Sequence, residues 1–154
     1  MVNDNDFGAF DEVWARVEGA KDRGARDADE KLASLAAGAA GAMRSYSAAA
    51  AKYPRERGTF RALAQSEAKT LTLLRDAFGV SPGRLTPAVT DIKALYRAAT
   101  ERAAAFDALA GEAGRRQKLF AELSRREKAG ARALAWMLQR PPKSKAWGSR
   151  SDRR

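Results

Sequence analysis

Residues 60–78, FRALAQSEAKTLTLLRDAF, set Phe60, Leu63, Ala64, Leu71, Leu74 and Phe78 at helical spacing around one carboxylate, Glu67. On such a stripe the carboxylate faces a core. Residues 119–138, LFAELSRREKAGARALAWML, repeat the design: Phe120, Leu123, Glu127 and Leu134 fall sixty positions after Phe60, Leu63, Glu67 and Leu74. The register extends upstream, where Leu32, Leu35, Ala39, Tyr46 and Arg55 precede Ile92, Leu95, Ala99, Phe106 and Arg115 by the same interval. A chance match of helical period would not hold through two helices and the turn between them. The chain therefore contains one helical hairpin twice, and two hairpins related by a pseudo-twofold axis are the natural packing. A glutamate on a buried stripe carries a desolvation cost, so two at equivalent positions need a shared explanation.

The rest of the composition agrees with an all-α protein. Alanine, leucine, lysine, arginine and glutamate dominate the 154 residues and β-branched residues are sparse. That length suits one domain with a sizeable core. There is no cysteine and no histidine. A zinc finger, a zinc-protease site, a serine-histidine-aspartate triad, a cysteine nucleophile and a histidine-bound diiron centre cannot be built from the chain's own residues.

In chain order, Phe7, Phe10, Trp14 and Val17 give a short amphipathic helix over 6–20. It is expected to pack on the bundle, with a dimer contact or a docking segment as alternatives. Residues 21–30 read as a solvated linker or frayed helix start. The first long helix is expected over about 29–53, with Leu32, Leu35, Ala39, Met43 or Ala42, Tyr46, Ala50 and Tyr53 inward, and Pro54 stops it. A second helix follows from about Thr59. Residues 79–90, GVSPGRLTPAVT, contain two prolines and two glycines. Twelve extended residues reach roughly 40 Å, enough to cross a helix roughly 36 Å long, so helices two and three can run parallel; an up-down-up-down order is equally open. The third helix is expected over about 91–111, with Ile92, Leu95, Ala99, Ala103, Phe106 and Leu109 inward, and the fourth over about 116–140.

At this point the residues resemble a known family. The arrangement aromatic, turn, Phe-x-x-Leu-Ala-x-x-Glu-x-x-x-x-x-x-Leu, present twice between Leu32 and Leu138, is similar to the half-repeat of rubrerythrin-type, ferritin-like proteins. The resemblance implies a ferritin-like four-helix bundle over 28–140, with the short helix of 1–20 before it and a basic flexible tail over 141–154. Carried over by position, Glu67 and Glu127 match the glutamates of the family's two Glu-x-x-His pairs. The histidine positions hold Thr70 and Gly130, and the first-helix glutamate positions hold Ala39 and Ala99. Glu101 is nearest to these, but two residues of helix turn it off the inner face. Two of the six ligands that the family implies are present.

The functional expectation is a degenerate bundle acting as a non-catalytic scaffold or interaction protein, without a cofactor. Glu67 and Glu127 are then structural, each paired with an internal arginine or lysine, or one of them protonated. A competing reading makes them a weak divalent-metal site, with residual diiron-type oxidoreductase activity as its extreme form. A further reading is binding through the tail. The net charge is +10 (29 bases, 19 acids), and residues 140–154 hold half of it. Lys143, Lys145, Arg150, Arg153 and Arg154 can meet phosphates and Trp147 can stack on a base, so nucleic acid or an acidic protein fits the tail; a merely solubilising terminus is the bland alternative. A homodimer is compatible with the amphipathic N-terminal segment. No apolar run reaches the roughly 18–20 residues of a membrane span and no signal sequence is apparent, so a cytoplasmic protein without a membrane partner is expected.

Overall fold

The computed structural model describes residues 29–112 and 114–140. The amphipathic helix read over 6–20 and the basic tail lie outside the described residues. Within them the chain is all-α: helix α1 spans residues 29–52, α2 Arg57–Phe78, α3 Ile92–Glu112 and α4 Gln117–Gln139. No helix among the described residues is long and apolar enough to cross a membrane.

Local chemistry sets the breaks. Tyr53 leaves the helical region at φ −119°, ψ 83°, as the residue before a proline tends to, and Pro54 opens a single 3-10 turn, Pro54–Glu56, that leads directly into α2. The second helix thus starts two residues before Thr59. Its C-terminus is closed by Gly79, whose left-handed φ of 68° lets its N–H donate to the Arg75 carbonyl at 2.7 Å. Asp91 caps α3 through Oδ2, which accepts from the Ala94 N–H at 3.1 Å. A second 3-10 turn, Gly114–Arg116, precedes α4, and Arg140 lies just beyond it.

The crossover between α2 and α3 climbs along α1 in the direction of that helix. Arg44 Nη1 donates to the Thr86 carbonyl at 2.9 Å, the Val89 N–H to Ser45 Oγ at 2.9 Å, and the Tyr53 hydroxyl to the Thr90 carbonyl at 3.2 Å. The approach is close: a Cβ at Gly41 would stand 2.8 Å from Thr86 Oγ1. The segment therefore ends at the opposite end of the bundle from where it began, and α2 and α3 run parallel. Of the two topologies open to the sequence, this is the one adopted.

The neighbours around the bundle are α1 with α2, α2 with α4, α4 with α3, and α3 with α1. Tyr53 stacks on Phe60 at 5.9 Å between ring centroids, and Gly130 of α4 faces Leu63 of α2. Helices α3 and α4 pack along their lengths, and Gly38 of α1 faces the Arg102 stem of α3. Each of these pairs is antiparallel, and α2 and α3 lie diagonally.

Two apolar clusters fill the interior, and all four helices feed both. Tyr46, Phe60, Ile92, Leu95, Leu134 and Met137 lie toward the α1–α2 turn. Leu32, Leu35, Leu74, Phe106, Phe120 and Leu123 lie toward the other end. Fully buried side chains such as Phe60, Leu74, Leu123 and Leu134 each contribute about 1.5–3 kcal/mol. Of the two candidates for one α1 position, Ala42 is the buried one and Met43 only partly so. Leu138, at the end of the repeat, is exposed. Between the clusters lies a layer of polar side chains.

Candidate functional site

The polar layer is built by four helices. Glu67 comes from α2, Glu127 from α4, Arg102 from α3 and Tyr46 from α1; Glu67 and Glu127 are each 3% exposed and Arg102 8%. Position along each helix explains the meeting. Glu67 and Glu127 each sit seven residues after the phenylalanine and seven before the leucine of their stripe, and Arg102 falls three residues after Ala99 and four before Phe106. Gly38 of α1 lies against the guanidinium stem, and a methyl group there would stand at an ordinary contact distance of 3.4 Å from Arg102 Cδ.

Arg102 bridges the carboxyl groups. Its Nε donates to Glu127 Oε2 in a short charge-assisted bond, and its Nη2 lies 3.5 Å from Glu67 Oε1 and 3.4 Å from the Tyr46 hydroxyl. One guanidinium cannot neutralise two carboxylates. Glu67 Oε2 has no hydrogen-bond donor among the described residues unless a proton is placed between it and the neighbouring Glu127 carboxyl. Burial, then that hydrogen bond and the like charge of Glu127, push the Glu67 pKa well above its ordinary value, with Arg102 opposing them. Glu67 therefore keeps its proton to higher pH than a free carboxyl group does, beside a guanidinium that stays charged.

The remaining members follow the same physics. Burial alone would lower the Arg102 pKa, but Glu67 and Glu127 outweigh it and hold the guanidinium above its usual range. Burial raises the Tyr46 phenol, which Arg102 only partly offsets. Thr70, one turn beyond Glu67, is buried with its hydroxyl unpaired among the described residues. On α4, Ser124 Oγ donates to Asp107 Oδ1 at 2.6 Å, and Lys128 Nζ reaches Asp107 Oδ2 at 2.8 Å; these two partners hold the exposed Asp107 carboxyl below its ordinary value.

The two glutamates singled out from the sequence are therefore brought together, with an arginine between them. Glu101 is exposed, and Ala39 and Ala99 are buried without adding a ligand. Thr70 and Gly130 are buried, each one turn beyond its glutamate. The tail residues Lys143, Lys145, Trp147, Arg150, Arg153 and Arg154 lie outside the described residues. The sequence pattern does not single out Arg102: Ala103, also buried, fits the stripe, and Arg102 satisfies the same spacing.

Chemically, the arrangement is poor at holding a divalent ion. Two carboxylates are too few for a hard cation without several waters, and the guanidinium N–H groups already point at their oxygens. A cation placed there would sit against a fixed positive charge. The residues present do not fit a diiron centre. No protein-family model, no curated protein and no solved structure matches the chain.

Proposed function

We propose that the chain is a degenerate member of the rubrerythrin-type, ferritin-like bundles, and that it works as a non-catalytic scaffold or interaction protein. The observation that carries this reading is Arg102, which lies between Glu67 and Glu127 where an enzyme of that type would need a metal ion. Two further features support it. The sequence repeat places the two glutamates at equivalent positions, and the crossover along α1 makes α2 and α3 parallel, as in ferritin-like bundles with one long connection.

An internal ion-pair cluster of this kind is a structural device. Its charges satisfy one another inside the bundle and are almost closed to solvent, so a substrate would have to open the core to reach them. The scaffold reading is tested by anaerobic loading with ferrous iron, removal of unbound metal, and metal analysis with an optical spectrum after exposure to oxygen. Iron retention far below one ion per chain is expected. Stoichiometric iron with a diiron spectrum would overturn the proposal.

A further inference from the structure

The geometry points to the face formed by α2 and α4 as a binding surface for single-stranded nucleic acid. The charges of the helices are divided very unevenly. Outside the core, α2 carries Arg57, Arg61, Lys69 and Arg75 against Asp76 alone. Helix α4 carries Lys118, Arg125, Arg126, Lys128 and Arg132 against Glu122 alone. By contrast α1 and α3 together carry five bases and five acids outside the core. The excess positive charge therefore lies on α2 and α4, with Arg57 and Arg61 on the α1 flank of α2 beside Ser47, Ala50 and Ala51, and with the exposed bases of α4 running along its outer face.

Pairing removes little of this charge. Asp76 takes Arg75 at 3.6 Å, Glu122 takes Arg125 and Arg126, and Lys128 is taken by Asp107 from α3. Arg57, Arg61, Lys69, Lys118 and Arg132 have no acidic partner among the described residues. The bases also form a line. Lys118, Arg125 and Arg132 recur every seven residues, two helical turns apart, giving a row with roughly 10 Å steps on the outer face of α4. Trp136 stands one turn beyond Arg132 on the same face. It is 54% exposed, with the Arg140 guanidinium 5.2 Å from its ring centre. A basic track that ends in an accessible indole is what a single strand needs: phosphate contacts along its backbone and a ring on which a base can stack.

Other occupants fit less well. Protein interfaces bury an apolar core from which lysine is depleted, whereas on α2 and α4 the exposed large apolar residues are Trp136 and Leu138 only. A membrane-surface helix needs a continuous apolar face to insert, and the outward faces of α2 and α4 are basic, alanine-rich and polar. Nucleic-acid interfaces are the class that is both wet and dominated by positive charge. This surface consists of described residues of α2 and α4 and does not include residues 141–154.

The test uses the full chain and a fluorescein-labelled oligothymidylate, with binding followed by anisotropy over a range of salt concentrations. A variant carrying K69Q, K118Q, R125Q and R132Q is compared with one carrying K31Q, K52Q, K93Q and R97Q, which removes the same charge from α1 and α3. All eight side chains are exposed, and circular dichroism checks that both variants fold; K69Q with R132Q alone serves if the fourfold variant does not. The α2–α4 variant is expected to lose about tenfold or more in affinity, and its slope of log K against log salt to flatten by about 2.8, roughly 0.7 for each of four lost contacts. The α1–α3 variant should keep both the slope and most of the affinity. Trp136→Ala should weaken binding while leaving the slope unchanged. Equal losses in the two charge variants, loss confined to deletion of residues 141–154, or binding to phosphatidylserine vesicles but not to the oligonucleotide would each overturn the assignment.

Discussion

Ala42 and Arg102 occupy the same position of the two hairpins, sixty residues apart, and they differ more than any other buried pair in the register. Both halves supply a glutamate to the centre, but only the second supplies a cation. The first half contributes instead the Tyr46 hydroxyl, where the second has Phe106, and Gly38, where the second has Ala98. These differences belong together. A guanidinium near the pseudo-twofold axis reaches both carboxyl groups, so one is enough, and a second would bring like charges together in a poorly screened interior. Gly38 of the first hairpin packs against the Arg102 stem, where a methyl group would stand at an ordinary contact distance of 3.4 Å. The two hairpins thus differ at these core positions while matching in burial at Phe60 and Phe120, Glu67 and Glu127, and Leu74 and Leu134.

The largest expected effect comes from erasing that asymmetry. Arg102→Met keeps most of the apolar stem and removes the charge, leaving two buried carboxyl groups without their cation. Urea unfolding at pH 7 should show a loss of about 3–5 kcal/mol, the usual consequence of removing one partner from a buried ionic cluster. A loss below about 1 kcal/mol would mean that the cation does not hold the carboxyl groups. Moving the arginine to the other half sharpens the comparison. In the background of Arg102→Ala, Ala42→Arg should recover part of the lost stability by supplying the cation from the first hairpin. No recovery would show that the hairpins are not interchangeable around the centre.

An intermediate effect separates the two glutamates. The folded chain binds the Glu67 proton more tightly than the unfolded chain, so the stability from this group is complete below its ordinary value of 4.5 and declines as pH rises toward its raised folded value. The decline is at most about 1.4 kcal/mol per pH unit. Glu67→Gln carries the neutral form permanently and escapes it. The variant should match the parent near pH 4.5 and exceed it progressively toward pH 7, as read from urea midpoints at a series of pH values. Asp107 and Glu122, both held below their ordinary values by exposed partners, act in the opposite direction at lower pH and cancel in the difference between the two proteins. Glu127→Gln replaces the charged acceptor of the Arg102 Nε bond with a neutral amide oxygen and should be less stable than Glu67→Gln at pH 7. Parallel pH curves for Glu67→Gln and the parent would show that Glu67 retains no proton.

What could be read from sequence differs in kind between the helices and the centre. The four helices and the inward placement of Glu67 and Glu127 follow from the period of apolar residues, because burial of a stripe leaves its mark at every turn. Arg102 leaves a weaker mark. It fits the stripe as well as Ala103 does, but an arginine in a helix rich in charged residues reads as surface unless the two acids facing it already demand a cation. The crossover is silent for another reason. Two of its anchors on α1 are the backbone groups of Thr86 and Val89, and backbone contacts place no constraint on residue type that a reader could recognise. Its length permitted the parallel arrangement without deciding it. The basic side of the bundle became visible only once α2 and α4 were known to be neighbours, since the net charge of the whole chain does not say where it lies.

The smallest expected effect concerns the last asymmetric member of the layer. Tyr46→Phe makes position 46 the same as its counterpart Phe106 and removes one hydroxyl. That hydroxyl accepts from Arg102 Nη2 at 3.4 Å, at the long end of hydrogen-bond distances, while the same nitrogen also faces Glu67. The ring is 1% exposed and packs 6.3 Å from Phe60, centroid to centroid, and phenylalanine keeps this contact. A typical hydrogen bond contributes about 0.5–1.5 kcal/mol, and a long one shared with a carboxylate belongs at the bottom of that range. Thermal and urea unfolding should therefore place Tyr46→Phe within about 1 kcal/mol of the parent, with the pH dependence of Glu67 preserved. A loss as large as that of Arg102→Met would make the phenol an essential acceptor for the guanidinium, and the contribution of the first hairpin to the centre would then equal that of the second.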